Sequence, residues 1–536
     1  MAETGRSVDA VIVGAGFAGM YMLHRLRGLG LSALVLEAGG GVGGTWYWNR
    51  YPGARCDIES LEYSYQFSEE LQMEWEWTER YATQPEILRY AEHVADRFAL
   101  WDDISFDTRV TAAHFDERVG RWMVETDRGE VVAARYCVMA TGCLSSTNWP
   151  DIPGLDRFAG AVYHTGRWPH ERVDFSGLRV AVIGTGSSAI QSIPMIAQQA
   201  SQLYVFQRTP NYSIPAHNRP LQAEEVAAFR EGWRAFRQAN KEMPFGFGSR
   251  YGRTERMTAE ASEAERQAAY EERWQLGGLP FMGAFADLIV DVEANETAGR
   301  FVRGKIAEIV KDPEVASMLS PRTVVGCKRL CVDSGYYDTF NLPHVSLVDV
   351  GVSPISAFFE AGLRAGGVEY CVDAVVFATG FDAMTGALHN IDIRGRGGLE
   401  LREKWAAGPR AYLGLATAGF PNLFMITGPG SPSVLSNMLP SIEQHVDWIA
   451  DCIGYLQDRQ VHRIEPSVEA EDAWVDHVNE VASATLMHGC NSWYLGANVP
   501  GKPRVFMPYI GFPEYVAKCG EVVAGGYSGF VLGVGG

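Results

Sequence analysis

The chain has 536 residues, 47% of them hydrophobic and 21% charged, with 65 acidic against 46 basic side chains for a formal net charge of −19. That composition describes a folded protein with cores for about three domains, and the acidic balance argues against nucleic acid or an anionic membrane as partner, since both require a clustered positive patch. Nine cysteines, none in a C-x-x-C pair, argue against a disulfide framework and against a zinc or other metal site, and read instead as buried thiols.

In chain order, the opening MAETGRSVDAVIVG carries Glu3 and Asp9 where a signal peptide would be basic and then apolar, so the expected location is cytoplasmic. The apolar run 8–13 predicts a strand, followed by a turn with Gly14, Gly16 and Gly19, a helical stretch, and a second strand at 33–36 that ends in Glu37. Short strands and a helix near 84–98 follow, then a strand at 136–139 leading into Ala140, Thr141 and Gly142. A second β-α-β copy has its strand at 179–183, its turn at Gly184, Gly186 and Ala189, and its next strand at 203–206, ending in Arg208. Residues 222–312 change to Glu, Arg, Ala and Gln at helical spacing and predict a helical insertion. Strands return after Asn341, 375–377 leads into Ala378, Thr379 and Gly380, and 440–456 predicts a helix before a glycine-rich C-terminal segment. The apolar stretch 411–430 is broken by Gly414, Gly419 and Pro421, so no membrane span is expected.

A G-x-G-x-x-G turn means little alone in a chain with 58 glycines, but both copies here follow a buried strand and open a helix. Free backbone N–H groups at such a helix start bind a pyrophosphate. The residue closing the second strand then separates two ligands. Glu37, 18 residues after Gly19, can accept hydrogen bonds from ribose hydroxyls and would repel a 2′-phosphate, which suits FAD or NAD, FAD being the economical assignment once the second site takes NADPH. Arg208, 19 residues after Ala189 and beside Thr209, suits a 2′-phosphate, hence NADPH. Two such sites in one chain imply electron transfer between cofactors. With no suitably spaced cysteine pair to act as acceptor, molecular oxygen is the remaining simple one.

The expected fold is therefore α/β, two interleaved Rossmann-like dinucleotide-binding domains with a helical insertion. Residues 1–142 would begin the FAD domain and 143–221 the NADP domain. The insertion would occupy 222–320, 321–380 would complete the NADP domain, and 381–536 would complete the FAD domain with a C-terminal segment.

Between the two turns stands FAGAVYHTGRWPH, with Phe158, Gly160, His164, Trp168 and Pro169. This F-x-G-x-x-x-H-x-x-x-W-P pattern resembles the type I Baeyer-Villiger monooxygenases, flavoproteins that insert one oxygen atom beside a ketone carbonyl. A second family pattern is met by Gly44, Trp46, Tyr51, Pro52, Gly53 and Asp57 in GGTWYWNRYPGARCD. The resemblance runs through the chain to SWYLGANVPGKPRVF, and is greatest to the phenylacetone and steroid branch through YPGARCDIES, GTGSSAIQ, FQRTPNYSIPA and GPGSPSVLSNM. One departure is Gly511-Phe512, where that branch has two glycines before the aromatic.

The resemblance implies that NADPH reduces FAD and that oxygen then forms a peroxide anion at flavin carbon 4a. This anion attacks a ketone to give an ester or lactone, with water as co-product. It places the stabilising cation at Arg329 in GCKRLCVDSGYYDTF, oriented by an ionised Asp57. A unit charge about 4 Å from that anion contributes about 4 kcal/mol at an effective dielectric of 20. Taken alone, Arg329 reads as a surface arginine after Lys328, and Asp57 as a helix cap. The resemblance adds Thr45, Thr185, Ser187 and Gln191 to the cofactor contacts, Lys328 to the 2′-phosphate site and Trp493 to the nicotinamide side. It puts the substrate pocket at Ser433, Val434, Leu435 and Met438. The fingerprint is expected in a linker between domains, with His164 coupling domain movement to cofactor binding.

Expected partners are a small ketone and oxygen, with the chain a monomer or weak homo-oligomer. The alternatives are a flavin N- or S-oxygenase, against which Trp168-Pro169 and Arg329 speak, and a non-enzymatic NADPH and flavin redox sensor.

Overall fold

The computed structural model describes residues 5–252 and 254–534, so Glu3 lies outside the described residues. Strand Arg6–Val13 is flanked by the parallel strands Ala33–Leu36 and Val131–Met139, each contributing a run of buried side chains. The eight-stranded sheet built on them runs Asp392–Arg394, Val110–Asp116, Arg121–Thr126, Val131–Met139, Arg6–Val13, Ala33–Leu36, Ile104–Ser105, with Leu423–Met425 also paired to Val131–Met139. Two of its strands thus come from beyond residue 380. Helix Phe17–Gly28 covers one face and is tied to helix Met438–Asp458, Tyr21 Oη and Arg25 both donating to Asp447 at 2.7 Å.

A second sheet has five parallel strands in the order Val345–Asp349, Gln202–Gln207, Arg179–Ile183, Ala374–Phe377, Ala161–His164. Its edge strand is the first half of the fingerprint, so that segment is not the linker expected from sequence. Gly160 permits this: a Cβ there would lie 2.4 Å from Asp373 O, closer than atoms tolerate. The Trp168 end does reach the first domain, its N–H donating to Trp48 O at 3.3 Å.

The insertion forms helices Ala223–Lys241, Glu263–Leu276, Val292–Ile309 and Pro313–Leu319. Ser262, Asp291 and Asp312 cap the last three with side-chain oxygens. Tyr270, Trp274, Phe281 and Phe301 share a core with Ile190 and Val205 of the second sheet's layer. Toward the first domain, buried Arg237 donates to Gln72 Oε1 at 2.8 Å and Glu62 O at 3.0 Å, while Arg250 pairs with Glu59. Stretch 411–430 contains one short strand, Leu423–Met425. Gly511, at φ +106°, opens helix Phe512–Ala524, and strand Phe530–Val534 closes the described chain against Val461–Pro466.

The cysteine reading needs correcting. Cys327 and Cys490, 163 residues apart, form a disulfide with Cα atoms 6.0 Å apart. Of the remaining cysteines only Cys371 is exposed. Spacing rules detect pairs close in sequence, and this one is made by the fold. Among the described residues no helix is long and apolar enough to cross a membrane, and no cluster of His, Cys, Asp or Glu could hold a metal ion.

Candidate functional site

The first turn closes so tightly that glycine is obligatory. A Cβ on Gly19 would sit 1.8 Å from Gly14 O, and one on Gly44 would fall 2.9 Å from Gly16 Cα. Gly16 caps helix Phe17–Gly28 with no side-chain hydrogen bond, and Gly186 does the same for helix Ser187–Ala197. A Cβ on Gly186 would meet nothing within 4 Å, so open space adjoins that helix start. Uncapped N-termini bordered by bare backbone fit two pyrophosphates.

Glu37 is buried and accepts from Ala15 N and Gly39 N, both at 2.7 Å. Burial raises its pKa, and those two amides oppose the rise. A carboxylate has about four acceptor positions, so capacity remains for ribose hydroxyls. On the other side Arg208 is exposed and Lys328 half-buried, and neither is in an ion pair among the described residues. Burial, and then the charge of Arg208, lower the Lys328 pKa. Two facing cations without an acid form a site that a phosphate would neutralise. Thr185 Oγ1 donates to Thr209 O at 2.9 Å, joining the turn to the Arg208 strand end.

Arg329 and Asp57, 272 residues apart, meet in a two-bond fork: Nε to Oδ2 at 2.9 Å and Nη2 to Oδ1 at 2.8 Å. Nη1 donates to Val434 O at 2.6 Å. Burial alone would lower the guanidinium pKa, but Asp57 and the Tyr494 hydroxyl overcome it and the net shift is upward. Tyr494, which sequence reading did not single out, is buried with its hydroxyl against Arg329, and burial pushes its pKa up to about 12. No local motif could have found it, since the contact is made only when its loop folds back.

Other expected residues have different occupations. The Gln191 amide accepts from Tyr51 Oη at 2.8 Å and donates to Arg55 O at 3.1 Å. Ser187 Oγ lies 3.4 Å from Cys331 Sγ. Trp46 is buried and donates to Tyr63 Oη at 3.1 Å, while Thr45 beside it is exposed. Trp493 packs on Tyr494 with ring centroids 4.3 Å apart. His164 is buried, accepts from Gly166 N at 3.0 Å and packs on Trp149; burial lowers its pKa to about 4. Phe158 packs on Phe358, and Trp168 stacks on Tyr163.

Ser433, Val434 and Leu435 form a short 3-10 turn and Met438 opens helix Met438–Asp458. Ser433 is fully buried at φ +44°, its Oγ 2.9 Å from Cys143 Sγ, so its side chain faces a packed cluster and not an open pocket. A cavity of about 1170 Å³ lies instead between Phe245, Phe247, Met282 and Phe285 of the insertion and Trp474 and Tyr509 of the C-terminal part. It adjoins the same turn, because Asn437 N donates to Phe245 O at 2.9 Å.

Comparison with known proteins bears on this arrangement. Residues 11–237 match the family model described as pyridine nucleotide-disulphide oxidoreductase. A curated Baeyer-Villiger monooxygenase from Pseudooceanicola batsensis is 44% identical over 98% of this chain and 96% of its own length. The chain belongs to the Baeyer-Villiger monooxygenase family. Within this family of flavoproteins the solved structure of an oxidised steroid monooxygenase bound to NADP is 53% identical, with a TM-score of 0.94 over 99% of this chain and all of its own. A phenazine N-monooxygenase from Lysobacter antibioticus is 43% identical over 98% of this chain and 97% of its own length. Solved members of the family hold FAD and NADP.

Proposed function

We infer that this chain is an NADPH- and FAD-dependent monooxygenase that converts ketones to esters or lactones. Its family relatives named for cyclohexanone and acetone support the ketone class. The observation that carries the reading is the half-buried Arg329–Asp57 fork, made by residues 272 positions apart and fastened to Val434.

FAD, when bound, supplies activated oxygen from O2 at the expense of NADPH. This chain's residues do the rest. Gly14, Gly16, Gly19 and Gly44 bring bare backbone to the flavin dinucleotide, and Glu37 takes the ribose hydroxyls. Gly184, Gly186 and the start of helix Ser187–Ala197 receive the NADPH pyrophosphate, while Arg208, Thr209 and Lys328 take its 2′-phosphate. Arg329 presents a cation that keeps its proton, and Asp57 with Tyr494 fixes where it points. Trp493 and the turn at Ser433–Leu435 with Met438 close the site against water. His164 remains neutral at pH 7 and holds the second sheet's edge against Asn148 and Thr379, a structural role within one unit.

The division into 1–142, 143–221, 222–320, 321–380 and 381–536 stands as our proposed domain boundaries. We place the protein in the cytoplasm, as a monomer or weak homo-oligomer. The test is direct: purified protein should be yellow, and phenylacetone should accelerate NADPH consumption with an ester as product. A second reading, N-oxygenation, is favoured by the phenazine N-monooxygenase relative. Oxygenated product from amines or aromatic nitrogens, with none from a ketone panel, would select it.

A further inference from the structure

The reaction above leaves the Cys327–Cys490 disulfide unused, yet the bond sits between two parts of the site. Cys327 immediately precedes Lys328 and Arg329, and Cys490 stands three residues before Trp493. Segment 484–511, between helices Val468–Ser483 and Phe512–Ala524, holds among the described residues only the 3-10 turns Leu486–His488 and Trp493–Leu495. Connections longer than about 12–15 residues without their own regular structure are characteristically functional lids or binding loops.

The two halves of the segment are anchored differently. Its second half is clasped to the end of the second sheet: Asn498 Nδ2 donates to Phe381 O at 2.7 Å, Asn148 Nδ2 to Asn498 O at 2.9 Å, and Lys502 Nζ to Ala383 O at 2.7 Å. The first half has Leu486 N on Ile289 O at 2.8 Å, and then the disulfide. That bond is the covalent tie between the approach to Trp493 and the loop carrying the phosphate-site lysine and Arg329, beside the packing of buried Met487 and Tyr494.

We propose that Cys327–Cys490 is a thiol–disulfide exchange site that sets how tightly the enzyme holds NADP. The proposal rests on the NADP site assigned above. Cys490 is half-buried whereas Cys327 is fully buried, so an incoming thiol reaches the Cys490 sulfur. A dithiol reductant attacks Cys490 Sγ as thiolate; the Cys327–Cys490 bond breaks and Cys327 leaves as a thiolate that takes up a proton. The reductant's second thiol then attacks the mixed disulfide, releasing Cys490 as a thiol and leaving the reductant as its cyclic disulfide. Two electrons and two protons pass to the protein. Reduction removes the covalent tie and loosens the arm between buried Met487 and Ser492, and the entropy of ordering it must then be met at each NADP binding event. In a thiol-buffered compartment protein disulfides are characteristically transient and redox-sensing.

The experiment uses the holoenzyme purified without reductant. Alkylation in denaturant followed by mass spectrometry should count seven modified cysteines before dithiothreitol and nine after. The Kd for NADP+, measured by fluorescence titration in the absence of ketone, should rise at least fivefold on reduction. Cys490→Ala should show the raised Kd with or without dithiothreitol while remaining yellow, and Cys327→Ala should match it. Nine modified cysteines from the outset would overturn the proposal, as would a Kd unchanged when the count goes from seven to nine. Failure of both forms to bind NADP+ would sink the assigned site along with it, and is thereby distinct from a Kd that is measurable and insensitive to thiol.

Discussion

Arg329 and Arg208 carry the same charge and do opposite things with it. Arg329 has its fork filled by Asp57 and a further N–H on Val434 O, so it is a fixed cation with one direction. Lysine cannot reproduce that fork. Arg329→Lys should therefore leave NADPH-driven flavin bleaching within about twofold in stopped-flow absorbance, while ester formation followed by gas chromatography falls at least a hundredfold. Arg208 is exposed, is in no ion pair among the described residues, and is the proposed 2′-phosphate contact. Losing one charge-assisted hydrogen bond costs about 1.5–3 kcal/mol, so Arg208→Ala should raise KM for NADPH roughly 10- to 100-fold and leave NADH turnover unchanged. Glu37 and Arg208 were legible from sequence because a strand, turn, helix and strand put them at fixed offsets from their glycines. Arg329 was legible only through resemblance: its partner Asp57 is 272 residues away and no local rule brings them together. Tyr494 and the true surroundings of Ser433 were hidden for the same reason.

At the scale of elements, the two glycines of the second turn separate folding from binding. A Cβ on Gly184 would fall 2.4 Å from Ala378 O, whereas one on Gly186 enters open space. Gly184→Ala should lower the Tm of the protein even without NADPH, by several degrees in differential scanning fluorimetry. Gly186→Ala should leave that Tm within a degree and weaken NADP+ binding, because its methyl group occupies the pyrophosphate's approach. Long periodic elements were readable in the sequence: the helix expected at 84–98 is Gln84–Arg97, and that expected at 440–456 is Met438–Asp458. Strand Ala161–His164 was not. It is short, mostly solvent-facing and defined by its pairing with Ala374–Phe377, a partner that sequence alone does not disclose.

Across the whole molecule, the insertion and both ends of the chain meet around buried charge. Glu443 of helix Met438–Asp458 accepts from Gln66 N at 2.6 Å and Phe67 N at 2.9 Å, near Arg237 of the insertion. Burial, the largest cause, raises its pKa from 4.5 to about 7. The folded state thus binds more protons than the unfolded one across that interval. Its contribution to stability is whole below pH 4.5 and is lost as pH rises through 7. Glu443→Gln, which stays neutral, should gain Tm relative to the parent as pH goes from 5 to 8, and a difference that shrinks or stays flat in scanning calorimetry would refute this assignment.

The central strand Val131–Met139 pairs with Leu423–Met425, and Val110–Asp116 with Asp392–Arg394. On the ribosome, at about 5–20 residues per second, the first sheet's opening strands must wait roughly 15–60 s for these partners to be synthesised. Until then Val110–Asp116 and the end of Val131–Met139 lack these partner strands, a state that invites aggregation or chaperone capture. A chain ended at residue 380 would have a complete second sheet and a first sheet arrested in that condition. Early termination should therefore yield insoluble product, and the first sheet should be completed only after the second.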